Sequence, residues 1–241
     1  MSYPTPSLAS LQSTLLHSFH LPVRPTFLRS LLTALQNTSR PPHGAALLQT
    51  LKFRILSSDI TQSLEPRSNL CLPSISSETK SITLGFDGII VQALDIKDLT
   101  QSLGDTMEAI EMGERGEKMK GREVVRITAE EAEAEQGTQA GSGVGSAATA
   151  DRKNGVHKLL LQDSAGTRVW GLEVKTVEKL GGINIGGKLL LRGCTVARGV
   201  VLLTPETVTV LGGREEAMSK SWKEERKEVL RGEIEALRGG R

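Results

Sequence analysis

The sequence predicts an α+β chain, with a three-helix bundle at the N-terminus, a closed small β-barrel behind it and a charged helix at the C-terminus. Three observations carry this reading. Residues 1–60 repeat apolar positions at helical spacing between prolines. Five short apolar runs between His157 and Gly213 are separated by turn residues, the pattern of a small all-β domain. From Glu215 to Leu237 the chain is highly charged along a thin apolar stripe.

The bundle reads as three amphipathic segments. Ser7 suits an N-cap before Leu8, Leu11, Leu15 and Phe19. Pro22 breaks the chain, and Pro25 opens a second helix carrying Phe27, Leu28, Leu31, Leu32 and Leu35. Asn37–Gly44, with Pro41 and Pro42, is a loop, and a third helix presents Leu47, Leu48, Leu51 and Ile55. Each helix has one apolar face, so the three must pack together or on another element.

From Ser81 the period changes. Ile82–Ile96 predicts one extended strand bent at Gly85 and Gly88, and this strand adds an edge to the barrel. Asp98–Met112 predicts a helix capped by Asp98, and Glu123–Thr128 a short strand. Residues 129–154 combine Glu130, Glu131, Glu133 and Glu135 with a Gly/Ser/Ala/Thr tract. This low-complexity segment lacks the apolar surface to offset its ordering entropy and is expected to be a mobile loop. The barrel strands are expected at His157–Gln162, Arg168–Lys175, Lys188–Arg192, Val200–Leu203 and Thr207–Leu211. The C-terminal stripe of Met218, Trp222, Val229, Ile234 and Leu237 suits a helix that is partly free or waits for a partner.

Composition narrows the function. The 241 residues carry a formal net charge of +2 and only 3% aromatic side chains, so the chain lacks the large basic footprint of a dedicated nucleic-acid binder. Cys71 and Cys194 lie far apart without CxxC spacing, which argues against a disulfide framework or zinc site and for a reducing intracellular compartment. There is no signal-peptide pattern and no apolar run of membrane-spanning length, so no membrane partner is expected.

No motif points to catalysis. Gly182-Ile-Asn-Ile-Gly-Gly187-Lys188-Leu189 approaches a phosphate-binding loop, but Leu189 replaces the required Ser or Thr and a strand follows. Gly141-Ser-Gly-Val-Gly145 lies in the low-complexity tract with no strand before it. His17 and His20 share a helix end without a third ligand, and His43 and His157 are isolated. The chain is therefore expected to be no enzyme, with no catalytic residue, cofactor or metal. The barrel has a modest cationic surplus that includes Lys158, Arg168, Lys175, Lys188, Arg192 and Arg198. Its one stacking-size ring, Trp170, is a poor platform for bases, and a protein-binding barrel fits better.

Four blocks carry a family likeness: His157-Lys-Leu-Leu-Leu-Gln-Asp163, Val169-Trp-Gly-Leu-Glu173, Gly187-Lys-Leu-Leu-Leu191 and Arg198-Gly-Val-Val-Leu-Leu-Thr-Pro-Glu-Thr-Val-Thr-Val-Leu-Gly-Gly213. Together they resemble the RecQ-mediated genome instability protein 1 family. The strand, Thr-Pro-Glu turn, strand and terminal Leu-Gly-Gly of the last block are the most specific part. Val23–Leu28 is similar to the family's helix entry, with Phe27 where Trp is usual, and Phe53–Asp59 to its third helix.

The resemblance implies a helical bundle over residues 1–60 and an OB-fold over 80–213. It places a long insertion, at about 100–156, between the first two barrel strands, and a C-terminal helix over 214–241. It further implies a non-catalytic subunit of a nuclear complex with topoisomerase III and a RecQ-family helicase. That complex would act in double Holliday junction dissolution and decatenation during DNA repair, recombination and replication. The likeness leaves room for a second OB-fold subunit and for weak contact with DNA. Lys188, after the Gly-containing turn, is the leading partner-contact candidate, against a reading as a solvated strand-end lysine. Lys175, Arg198 and Trp170 join it. The alternative is a free-standing OB-fold module that binds single-stranded nucleic acid.

Overall fold

The computed structural model describes residues 7–38, 41–78, 80–115, 117–120, 123–126 and 155–239. The tract expected to be a mobile loop, 129–154, lies outside the described residues. The bundle contains α1 (Leu8–Phe19), α2 (Pro25–Gln36), α3 (Gly44–Leu56) and a single extra turn, α4 (Ile60–Ser63). Ser7 caps α1, its hydroxyl accepting from the Ser10 amide at 3.2 Å. Pro25 occupies the first turn of α2, where its missing N–H costs nothing. Asp59 caps α4, a turn too short to give a periodic signal. Leu11, Leu15, Leu28, Leu51 and Ile55 fill the bundle core.

The barrel domain uses β1 (Ile82–Thr83), β2 (Ile89–Asp98), β5 (His157–Asp163), β6 (Arg168–Glu173), β7 (Lys188–Leu191), β8 (Thr195–Ala197), β9 (Val200–Leu203) and β10 (Val208–Gly212). The insertion between β2 and β5 contributes α5 (Leu103–Glu114) and the hairpin β3 (Glu117–Lys120) and β4 (Glu123–Arg126). The eight barrel strands lie in the order β1-β8-β9-β6-β5-β2-β7-β10, all antiparallel except the β6–β9 pair. No ladder joins β1 to β10, so hydrogen bonding does not close the expected ring. The chain itself does: β9 pairs with β6 and β10 pairs with β7, and the turn between them crosses the gap. Thr207 anchors this crossing by accepting from the Arg192 amide at 2.9 Å.

Three boundary expectations are corrected. The strand expected over Ile82–Ile96 is two strands, because Gly88 (φ 93°) breaks it after the Gly85 turn. Asp98 does not cap α5. It ends β2 and accepts from the Thr100 amide at 2.9 Å, while Ser102 caps the helix. β8 is missed because three residues are too few to show alternation.

Two strands are apolar on both faces. Along β2, Ile89, Val91 and Ala93 point into the barrel core, while Ile90 points into the bundle core. Along β7, Leu189 and Leu191 point inward and Leu190 joins the bundle. Ile90 and Leu190 are register partners, so the bundle sits on this pair. That explains the unbroken Leu189-Leu-Leu191 run, since a strand buried on both faces need not alternate. Gly213 completes the seam. Its φ of 90° and its approach to the Leu56 carbonyl exclude any side chain, which accounts for the terminal glycine of the Arg198–Gly213 block.

The C-terminal helix α6 (Glu216–Gly239) is docked, contrary to the expectation of a partly free helix. Its contact face is Ser219, Arg226 and Leu230, all buried, while Val229 and Leu237 of the expected stripe are exposed. Polar anchors supplement the apolar contact, in which Met218, Trp222 and Ile234 of the stripe are half-buried. A register shift between Ala93 and Asp95 turns Asp95 outward. Its Oδ1 accepts from Trp222 Nε1 at 2.8 Å and Arg226 Nη1 at 3.2 Å. Lys97 pairs with Glu233, and Lys227 reaches Glu114 of α5 at 2.7 Å.

Asp95→Ala leaves the buried Arg226 without its carboxylate and should cost about 1.5–3 kcal/mol. Hydrogen exchange along α6 should accelerate and Trp222 emission should shift to the red, while the barrel amides keep their protection. Unchanged exchange in α6 would show that apolar packing alone docks the helix.

Candidate partner-binding site

The residues singled out from sequence fall in three places. Lys188 lies at the seam, and the expectation that it contacts a partner is corrected. Its side chain is 1% exposed, and its ammonium donates to the Ser58 carbonyl at 2.5 Å and the Gly186 carbonyl at 2.6 Å. It ties the bundle to the barrel from inside. Burial pulls its pKa from the ordinary 10.5 down to about 8, with Asp59 and Glu215 opposing the shift.

Beside it lies a polar network that sequence reasoning missed. Gln92, the register partner of Lys188, donates to Asp59 Oδ1 at 2.9 Å and Gln162 Oε1 at 3.0 Å. Its Oε1 accepts from the Ile60 amide at 3.0 Å. Burial opposes ionisation of Asp59, but hydrogen bonds from Thr61 and Gln92, with Lys188 nearby, hold its pKa below the ordinary value. The available signal was Gln92 itself, one polar residue inside the apolar run Ile89–Ala93.

The second place is the outer barrel face. Trp170 is half-buried there, with Leu160 and Val200 as register partners. The Lys158 and Lys97 ammonium groups stand 4.5 and 5.8 Å from its ring centroid. Arg198 (φ 52°) and Gly199 (φ 83°) form the two-residue turn between β8 and β9, which exposes the arginine. Trp170 and Arg198 thus lie at the same end of the β6–β9 pair. Lys175 lies at the other end, in an exposed pair with Glu206 at 3.3 Å.

The third place is the root of the insertion. Asp98 and His157 are the last register partners of β2 and β5, and the Leu99 amide donates to the Val156 carbonyl at 2.8 Å. A side chain at Gly155 would meet the Asp98 carboxylate at 3.0 Å. Glu173, 3% exposed, holds the return strand from the neighbouring β6. Its Oε2 lies 2.5 Å from His157 Nδ1 and accepts from the His157 amide at 3.1 Å, while Oε1 accepts from the Val177 amide at 2.7 Å. Both ends of the insertion are therefore fixed to the barrel wall. Among the described residues, no group of three or more His, Cys, Asp or Glu could hold a metal ion, and no helix is long and apolar enough to cross a membrane.

Lys188→Ala should destabilise the chain by about 2–4 kcal/mol, through the cavity and two unpaired carbonyls. Between about pH 8 and 10.5 the folded chain holds fewer protons at Lys188 than the unfolded chain. Wild-type stability at this group therefore rises with pH across that window, and this share is absent below it. Urea melts should show the gap between wild type and variant widening above pH 8. A pH-independent gap would contradict burial of the ammonium.

Comparison with known families places these features. The model described as "RMI1, N-terminal helical domain" matches residues 11–63, and "RMI1, N-terminal OB-fold domain" matches residues 72–226. The chain is 31% identical over 229 residues to RecQ-mediated genome instability protein 1 of Schizosaccharomyces pombe, covering 92% of this chain and 95% of that protein. It is 43% identical over 65 residues to the Mus musculus protein of the same name, covering 26% of this chain and 11% of that protein. With both domains matched and nearly the full length aligned, this chain belongs to the RecQ-mediated genome instability protein 1 family.

Proposed function

We propose that this protein is a non-catalytic structural and regulatory subunit of a nuclear RecQ helicase–topoisomerase III assembly, supporting double Holliday junction dissolution and decatenation. Family membership supports a genome-stability role in a RecQ pathway. The observation that carries the finer reading is the clamped insertion root, where Asp98, His157 and Glu173 fix both strands to the barrel. A long loop costs little extra closure entropy, because that cost grows only logarithmically with length. A rigid barrel therefore holds a long arm at a defined exit point beside a partner's moving gate. Contacts that differ between the open and closed gate then shift its balance. The outer face with Trp170, Arg198 and Lys175 is the surface on which the barrel docks, and a second OB-fold subunit is a further candidate for it.

Decatenation by the cognate topoisomerase III, with and without this protein, tests the reading. Removal of residues 129–154 should leave the thermal melt of the remaining fold unchanged and lower stimulation roughly tenfold, equivalent to about 1.4 kcal/mol in gate balance. Trp170→Ala with Arg198→Glu should weaken pull-down of the topoisomerase. Full stimulation after the deletion defeats the arm, and full pull-down by the double variant defeats the docking face.

A further inference from the structure

A second surface, separate from the insertion root and from the Trp170 face, lies where α1, α3 and β10 meet. It begins with an open sheet edge. β10 ends the strand order, and among the described residues no strand lies on its far side. The Arg192 amide donates to the Thr207 carbonyl, and the register carries these bonded positions on to the Leu190–Thr209 pair. Val210 is out of phase with them and turns its amide and carbonyl to the open edge. Among the described residues neither group bonds to any other element. The Val210 side chain packs on the barrel core, while that of Leu211 joins the bundle on the outer face.

A cavity of about 250 Å³ opens on that outer face, floored by Leu56, Leu190 and Leu211 and rimmed by His20, Lys52 and Arg192. Small-molecule pockets run to about 300–1,000 Å³, so this one suits a single side chain. Its lining holds no carboxylate, and among the described residues Lys52 and Arg192 form no ion pair. Arg192 Nη2 lies 2.6 Å from His20 Nε2, while its Nε is buried without a partner. Burial, the Arg192 charge and His17 together hold the His20 pKa below its ordinary value, so this ring accepts from Arg192 and adds no charge. The Lys52 ammonium rests 4.6 Å from the Phe19 ring centroid, which leaves it without a counter-charge. Apolar surface continues beyond the rim. Phe53, next to Lys52 on α3, is 67% exposed, and Phe86, packed over Gly193 beside Arg192, is 78% exposed.

An open strand edge, a side-chain-sized apolar cavity and cations without counter-charges specify one kind of occupant. It is extended, it carries an apolar anchor, and its carboxylates share the anchor's face. In strand addition the main-chain bonds give affinity, and pockets for alternate side chains give specificity. A guanidinium fork also matches a carboxylate in two-point geometry. We infer that the β10 edge and this cavity together bind an extended acidic peptide segment of a partner protein, which adds as a strand beside Val210, seats one apolar side chain over Leu56 and Leu211, and sets carboxylates against Lys52 and Arg192. The site does not depend on the topoisomerase reading, because it shares no residue with the insertion root or the Trp170 face.

Fluorescence anisotropy of the full chain with a labelled peptide of about ten residues, about 33 Å when extended, tests this. The probe alternates Thr with Glu around a central Phe, so that the ring and the carboxylates lie on one face of the strand. Lys52→Glu, or Ser in place of the probe's Phe, should weaken binding at least tenfold, about 1.4 kcal/mol. Lys220→Glu, on the exposed side of α6, should change nothing. Methylating alternate peptide nitrogens of the probe removes its donors along one edge and leaves the protein untouched, so this arm holds even if a variant folds poorly. Methylation in one phase should weaken binding at least tenfold, about 1.4 kcal/mol, and in the other phase leave it unchanged. No binding at about 1 mM probe, the level of about −4 kcal/mol, overturns the proposal. Equal effects of the two methylation phases also overturn it, as does polyglutamate that displaces the probe as readily as its unlabelled form.

Discussion

Burial of β2 and β7 on both faces is the constraint on which the rest of the molecule depends. An ordinary small barrel presents one face of each strand to water, and its outer residues are free to be polar. Here the Ile90–Leu190 pair needs a cover, and the bundle supplies it. Burying two such side chains contributes about 1.5–3 kcal/mol each, a sizeable part of a typical domain's net stability. Leu56 of α3 and Leu211 of β10 pack into the same contact from its two sides. Neither unit is complete without the other, and the polar groups at the edge of the contact must pair across it. Gln92 and Lys188 do so, each satisfying backbone or side-chain groups of the Ser58–Thr61 segment.

One strand then organises three separate contacts. The first half of β2 carries the bundle, its central register shift aims Asp95 at α6, and its last residues form the root of the insertion. The bulge matters because it changes which face the strand presents without ending the ladder. A regular strand would alternate faces without a break and could not serve the bundle and α6 in sequence. The insertion thus leaves from a strand that is pinned along its whole length. Its return strand is held by Glu173, a buried carboxylate whose partners lie in the backbone and ring of His157 and the amide of Val177.

The candidate sites were legible to different degrees. Trp170 and Arg198 were named from the sequence as contact candidates, but strand pairing was needed to place them, Trp170 on β6 and Arg198 in the turn before β9, at one end of the same strand pair. Lys188 was misread because a lysine opening a strand is ordinarily solvated. Only the bundle seated on β7 makes it internal.

Periodicity, proline placement and capping chemistry determined the helices of the bundle and most strands of the barrel, because those signals are local and the backbone answers them within a few residues. Leu211-Gly212-Gly213 likewise stated a local demand, positive φ at two successive positions. Several of the shortest elements, α4, β3 and β8, escaped, since too few positions exist to show a period. Tertiary structure decided what covers the outer faces of β2 and β7, how the β9–β10 turn closes the barrel, and which face of α6 docks. In α6 the buried contact includes an arginine and a serine. The expected stripe overlapped that face only in part, with Met218, Trp222 and Ile234 half-buried, because the docking also uses a carboxylate 131 positions from Arg226 in the chain.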